Sequence, residues 1–475
     1  MKRFDLFQSL RLSDRVTMPV VIGLSCFLTF VLFAQPTIAD GHKGFELTIL
    51  HTNDFHARFR PISKYDNNCS AESNAEGKCF GGTARLISAI KEARGRHENT
   101  ILLDGGDQFQ GTLFYNLYKG KVAAGMMNAL EYDGMAVGNH EFDDGPETLR
   151  DFMEAVDFPV LMANAHISLE PALRDILQKS TIVEKGGEKI GLIGVVTEDV
   201  KDLSSPGDNI IFTDAINAVQ SEVRVLKAKG VNKIILLSHS SYAIDKEIAA
   251  NTDGVDVIVG GHDNALLSNT NKRAVGPYPT VVNGVQIIQA YAYGKYLGEL
   301  NIIFDDAGNV ISAEGEPILI DSSVAEDPQI VTRLDILEKP INKLKETQVG
   351  NVSASLNGDR SVCRVQECDM GNMTYKEIPI NKIPDTESLK DTYERVLKFY
   401  KQEIENEISN NNILISAHGN SIRALCKYLF KLDENQISKL EIPTGNPLLI
   451  NLDKERKITD CKYLDRERSK DLVVF

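Results

Sequence analysis

Four of the nine histidines in this 475-residue chain stand at the ends of short apolar runs. "FELTIL" leads into "HTNDFHA", which carries Asp54 and His56, and "TILLDGG" is followed by Asp107. "GMAV" precedes Asn139 and His140, "KIILLS" delivers His239, and "VDVIVGG" delivers His262 with Asn264 two residues on. Imidazole nitrogens mixed with carboxylate and amide oxygens suit borderline first-row divalent ions such as Zn²⁺ or Mn²⁺. Asp54, His56, Asp107, Asn139, His239, His262 and Asn264 are too many ligands for one tetrahedral ion. With one carboxylate shared, they suit two ions about 3.5–4 Å apart, a pair that activates water and neutralises phosphoryl charge. Taken alone, "AVGNHEFDDG" reads more readily as a surface turn closed by Gly138 and Gly145. Four histidines at separate strand ends are hard to explain as packing. "KIGLIGVV" ends in Thr197 and Glu198, so the pattern is not a general property of these runs. His42, His97 and His166 have no such setting and read as surface residues, while His51 adjoins the site without a clear role.

Positioning so many loops requires a scaffold. Short β-rich runs separated by helical periodicity predict an α/β fold, and in open α/β sheets ligands bind beyond the carboxyl ends of the strands. The length predicts two or three domains. A formal net charge of −15 argues against a nucleic-acid polymer as partner, because nothing in the balance would neutralise a phosphate backbone. Small phosphate esters or nucleotides remain possible where cations or arginines meet them. At the N-terminus, Lys2, Arg3, Arg11 and Arg15 precede an apolar run from Met18 to Ala34 and small residues at Thr37 and Ala39. This predicts a secretory signal over residues 1–39 and an exported protein. The alternative is an uncleaved anchor, which would be the chain's only contact with a membrane. Cys69 with Cys79, and Cys363 with Cys368, form two short-range pairs that read as disulfides in an exported chain. Cys426 and Cys461 read as reduced thiols.

The motifs "LHTNDFHARF", "GDQFQG", "GNHEFD", "SHSSY" and "GGHDN" together resemble the 5'-nucleotidase family of calcineurin-like metallophosphoesterases. The likeness runs from about Phe45 to Asn372, "AYAYGKYLGELNIIFD" and "CRVQECDMGN" included, and is strongest for the animal ecto-5'-nucleotidase branch. It implies a sandwich of two β-sheets flanked by helices. It also implies that Asp54, His56 and Asn264 hold one ion, that Asn139, His239 and His262 hold the other, and that Asp107 bridges them. His140 would then face the phosphate and stabilise the transition state. Asp143 would orient and charge its imidazole, and Arg58 and Arg364 would contact the phosphate.

After Asn372 the chain changes identity. "YKEIP", "IPDTESLKDTYERVLKFY", "ILISAHGNSIRALCKYL" and "LEIPTGNPLLINLD" resemble the C-terminal part of the cofactor-dependent phosphoglycerate mutases of the histidine phosphatase superfamily. Leu389, Tyr393, Val396, Leu397, Tyr400 and Ile404 recur at helical spacing, "NILISA" reads as a buried strand, and "NSIRALCKYLFK" opens a helix behind His418. The nucleophilic Arg-His-Gly triplet of that family is absent: Arg96-His97 is followed by Glu98. His418 and Glu387 would be remnants of a site without its nucleophile, which forbids a covalent intermediate. The expected organisation is a signal (1–39) and a metallophosphoesterase domain (40–326). A linker helix with the truncated start of the nucleotidase C-terminal domain (327–373) and a partial α/β mutase-like segment (374–475) follow. The rival readings are a mutase and a non-catalytic exported binding protein.

Overall fold

The computed structural model describes residues 44–346, 348–351, 362–364 and, with short gaps, 389–464. The segment 1–39, Cys368, Glu387 and His418 lie outside the described residues. Arg364 and Cys363 are described only as backbone, in a strand Val362–Arg364 paired with Gln348–Asn351.

Two sheets face each other. One runs in the order Val310–Gly315, Tyr296–Phe304, Phe45–Thr52, Thr100–Asp104, Gly134–Ala136, Val160–Leu161, with Ile318–Leu319 paired to Tyr296–Phe304. The other runs Thr280–Val282, Val285–Ile288, Val257–Val259, Lys233–His239, Glu188–Val196, Ser180–Lys185. Phe45–Thr52, Thr100–Asp104 and Gly134–Ala136 are mutually parallel, as are Glu188–Val196, Lys233–His239 and Val257–Val259. Parallel strands covered on both faces read as continuous apolar runs, and Lys233–His239 is buried at every position. Between the sheets, Leu47, Ile49, Ile101 and Leu103 meet Leu192, Ile235 and Leu237 in one core. A second core lies under the helices Thr83–Arg96, Gly120–Leu130 and Pro146–Ala155.

The helix Pro328–Glu346, which the sequence places in a linker, packs into that second core through Ile330, Leu334 and Ile341. Arg60 joins it to Glu338 at 2.9 Å, and the Tyr118 hydroxyl donates to the Leu337 carbonyl. Its apolar positions recur at helical spacing, and Asp327 accepts the Gln329 and Ile330 N–H groups at its start. Cys69 and Cys79 form a disulfide. No helix among the described residues is long and apolar enough to cross a membrane.

In the C-terminal segment the helix Leu389–Phe399 continues into a wider turn, Tyr400–Ile404. It meets the helix Gly419–Phe430 through Tyr400 and Tyr428, whose rings lie 5.6 Å apart. A hairpin pairs Leu448–Leu452 with Ile458–Tyr463. The stretch "NILISA" departs from its expected strand: residues 412–415 form none, and Leu414 is 69% exposed. An apolar run becomes a strand only when a neighbour satisfies its backbone, and among the described residues none lies beside it. Cys426 and Cys461 are free and buried. Burial pushes the Cys426 thiol up to about 12, which makes it unreactive.

One carboxylate gives the front domain a pH dependence. Asp256 accepts the Ile234 N–H at 2.7 Å, and burial raises its pKa from 3.8 to about 7 despite nearby Lys227 and Lys233. The folded state therefore holds a proton that the unfolded state releases. The stabilisation is complete below 3.8 and is lost as pH rises through 7. Asp256→Asn, which still accepts from Ile234, is expected to flatten the fall in Tm between about pH 4 and 7. An unchanged Tm profile would contradict this.

Candidate metal centre

Five strands deliver their carboxyl ends to one place, and backbone hydrogen bonds fasten the loops that follow. The Asp54, His56 and Ala57 N–H groups donate to the carbonyls of Gly106, Asp107 and Gln108 at 2.9, 3.0 and 3.0 Å. Two loops, after Phe45–Thr52 and Thr100–Asp104, thus run side by side. Asp54 (φ 51°), His56 (50°), Asp107 (62°), His262 (85°) and Asn264 (54°) all occupy the left-handed region. Each such residue costs on the order of 1 kcal/mol or more. Asp, Asn and His are the non-glycine residues found most often in this conformation, which fits all five. Five of the seven predicted ligands are thus held in a conformation that few side chains adopt.

The side chains converge. His56 Nε2 lies 4.0 Å from Asp54 Oδ1 and 3.8 Å from Asp107 Oδ2. His239 Nε2 lies 3.1 Å from the same Asp107 oxygen. Asp54, Asp107 and His239 offer ligand atoms all within 4.8 Å of one another, and so do His56, Asp107 and His140. Asp107 belongs to both groups. Asn139 Oδ1 and His262 Nδ1 are 3.0 Å apart, and the rings of His239 and His262 are 5.1 Å apart.

The hydrogen bonds fix which nitrogens are free. His239 Nδ1 is 2.7 Å from the Gly105 carbonyl and His56 Nδ1 is 3.0 Å from the Phe109 carbonyl. A carbonyl only accepts, so both Nδ1 atoms carry a proton, and both Nε2 atoms are turned toward the carboxylates. Carbonyls that orient ligating histidines in this way are usual in metal sites. Asp54 is pinned by Asn53 Nδ2 at 2.8 Å and by the His262 N–H at 3.0 Å. Asn264 Oδ1 is buried without a hydrogen-bond partner. An orphaned buried amide oxygen costs free energy unless a donor or something positive meets it. This donor set fits divalent cations.

Electrostatics agree. Burial pushes Asp54 up to about 7, although His239 opposes it, and lowers His56 to about 4. Burial also works against charge on His140, yet Asp107 and the hydrogen-bonded Asp143 hold that imidazole at about 9. His140 Nδ1 sits 2.7 Å from Asp143 Oδ2, and the Ser204 hydroxyl donates to the other Asp143 oxygen at 2.6 Å. The Arg58 guanidinium lies 5.4 Å over the Tyr293 ring and forms no ion pair among the described residues. Tyr293 in turn stacks obliquely on His56 at 5.8 Å.

Several residues that support the centre carry no signal in the sequence. Glu141, fully buried, follows His140 and reads as an ordinary loop acid. Asp104 accepts from Thr52 Oγ1, Gln108 Nε2 and the Gly106 N–H, and burial raises it to about 8. His51 is a core residue: its Nε2 is 2.9 Å from the Tyr278 hydroxyl, and burial holds it neutral, near 3.

Comparison with known proteins follows the same division. Residues 47–265 match the calcineurin-like phosphoesterase family, and residues 364–461 match branch 1 of the histidine phosphatase superfamily. The 5'-nucleotidase of Diplobatis ommata is 44% identical over 341 residues, 69% of this chain and 58% of that protein. The human 5'-nucleotidase is 41% identical over 373 residues, 76% of this chain and 64% of its own length. The solved 5'-nucleotidase precursor of Thermus thermophilus is 38% identical with a TM-score of 0.60. That match covers 65% of this chain and 61% of the other. The chain thus spans less than two thirds of each of these three relatives. Residues 47–265 are thus a calcineurin-like phosphoesterase domain, followed in the chain by a histidine phosphatase-like segment.

Proposed function

We propose that this chain is an exported dinuclear-metal phosphatase that hydrolyses phosphate monoesters, nucleoside 5'-monophosphates among them. The observation that carries the reading is Asp107, a buried carboxylate with one oxygen 3.1 Å from His239 Nε2 and 3.8 Å from His56 Nε2, two histidines that would hold different ions. Asp54, His56 and Asn264 would hold one cation, Asn139, His239 and His262 the other, with Zn²⁺ and Mn²⁺ the ions best suited to the donors. When bound, such a pair supplies a water of lowered pKa and offsets phosphoryl charge.

The chain's own residues complete the chemistry. His140, kept cationic by Asp143 and Asp107, stabilises charge that builds on the phosphoryl oxygens. Its Nδ1 is committed to Asp143, so Nε2 is the nitrogen that meets substrate. Arg58 forms no ion pair among the described residues, although Asp66 acts on it at longer range, and it would be available to the phosphate. The nucleotidase relatives support a small nucleotide as substrate, and the chain's net negative charge speaks against a polymer. Export rests on the N-terminal pattern and on the Cys69–Cys79 disulfide. The mutase-like segment lacks its nucleophilic triplet throughout the sequence and adds no phosphoryl transfer.

The test is chelation. Removing divalent ions is expected to abolish hydrolysis of AMP and of p-nitrophenyl phosphate, and Mn²⁺ or Zn²⁺ to restore both. The region that follows Asn372 differs from the nucleotidase pattern, so binding energy from the nucleoside is not retained. The two substrates should therefore differ in kcat/KM by no more than about tenfold. Full activity after exhaustive chelation would overturn the reading.

A further inference from the structure

Glu141 is wholly buried, yet no positive side chain among the described residues pairs with it. Its carboxylate is instead encircled by backbone. The N–H groups of Gly138 and Asp107 donate to Oε2 at 2.7 and 2.9 Å, and those of Gln108 and Phe109 donate to Oε1 at 2.8 and 3.1 Å. Four N–H groups converging on one carboxylate form a strong, charge-assisted nest. Three belong to consecutive residues of the Asp107 loop, and the fourth belongs to the loop that carries Asn139. The clasp is reciprocal, because the His140 N–H donates to Asp107 Oδ1 at 2.9 Å. Each loop therefore places a carboxylate against the backbone of the other. The fit leaves no space: a Cβ at Gly138 would strike the Asp107 carboxylate and come within 2.8 Å of Glu141 Oε2.

We propose that Glu141 is the positioning residue of the metal centre. It holds Asp107 in its left-handed conformation and locks the Asp107 and Asn139 loops together before any cation arrives. The proposal rests on the dinuclear reading above. A centre preformed in this way binds its ions without first having to order two loops, and because Asp107 is shared, loosening it weakens both ions. Glu141→Gln keeps the shape but turns an N–H₂ group toward donors, so two of the four hydrogen bonds are lost, whichever oxygen is replaced.

Two measurements on the full chain test this. In cation-free wild-type protein, hydrogen–deuterium exchange should find the amides of 107–109 and 138 already protected. Fast exchange there, slowed only when Mn²⁺ is added, would show that the ion orders the loops, and the proposal would fall. This readout needs no activity, so it fails separately from the hydrolase assignment. In Glu141→Gln, calorimetric titration with Mn²⁺ should show affinity lowered about 10–100-fold at both sites. A lower Tm with wild-type affinity at both sites would mean that Glu141 only stabilises the fold, and would overturn the role. Should the variant not fold, the exchange experiment on wild-type protein decides alone.

Discussion

Asp107→Asn is expected to remove nearly all phosphatase activity, by about 10³-fold or more, and to leave far fewer than two cations per chain. The side chain is 2% exposed and lies within reach of His239, His56 and the backbone N–H of His140. Asparagine has nearly the same shape, and its Oδ1 still accepts from His140, so the loop keeps its form. The negative charge is lost. Burial alone would raise the Asp107 carboxyl, yet His239 and His140 hold it well below the usual range, so this is the anion the site is built around. In the proposed centre both ions share it, so its neutralisation removes one ligand charge from each. Elemental analysis after dialysis, with turnover on AMP, measures both effects. A variant that retains two cations and near-wild-type turnover would remove the shared carboxylate from the mechanism.

His140→Ala separates the chemistry from the cations. The group that approaches Asp107 most closely in this residue is the backbone N–H, which alanine keeps, so cation content should hold. Turnover should fall by roughly 10²–10⁴, the scale of a positioned electrostatic or proton-transferring group. Asp143→Asn should move turnover in the same direction by a smaller factor, since the imidazole stays in place but loses the charge that favours its cationic form. Full activity in His140→Ala would refute the role given to this histidine.

Much of the scaffold is legible in the sequence, because apolar runs and the residues that end them are local signals. "KIILLS" reads as a short β-rich run and forms a buried parallel strand, and the ends of five such strands bring Asp54, His56, Asp107, Asn139, His239 and His262 together. What periodicity does not convey is backbone conformation. Nothing in "HTNDFHA" shows that Asp54 and His56 take a positive φ, since that follows from the loop against which they are zipped. Glu141 is invisible for a related reason. A glutamate after a histidine reads as solvated, and only three-dimensional packing turns its carboxylate toward four N–H groups from two loops. The helix Pro328–Glu346 is evident from its spacing, but its place in the front core is not, because Ile330, Leu334 and Ile341 reveal an apolar face without naming what covers it. "NILISA" goes the other way. Its composition favours a strand, and composition counts for little where, among the described residues, no neighbouring strand lies beside it.

The most direct examination of the dinuclear centre is an anomalous-scattering map of crystals grown with Mn²⁺. Two peaks about 3.5–4 Å apart are expected, one bounded by Asp54, His56 and Asn264, the other by Asn139, His239 and His262, with Asp107 between them. A single peak, or manganese bound away from Asp107, would contradict the account.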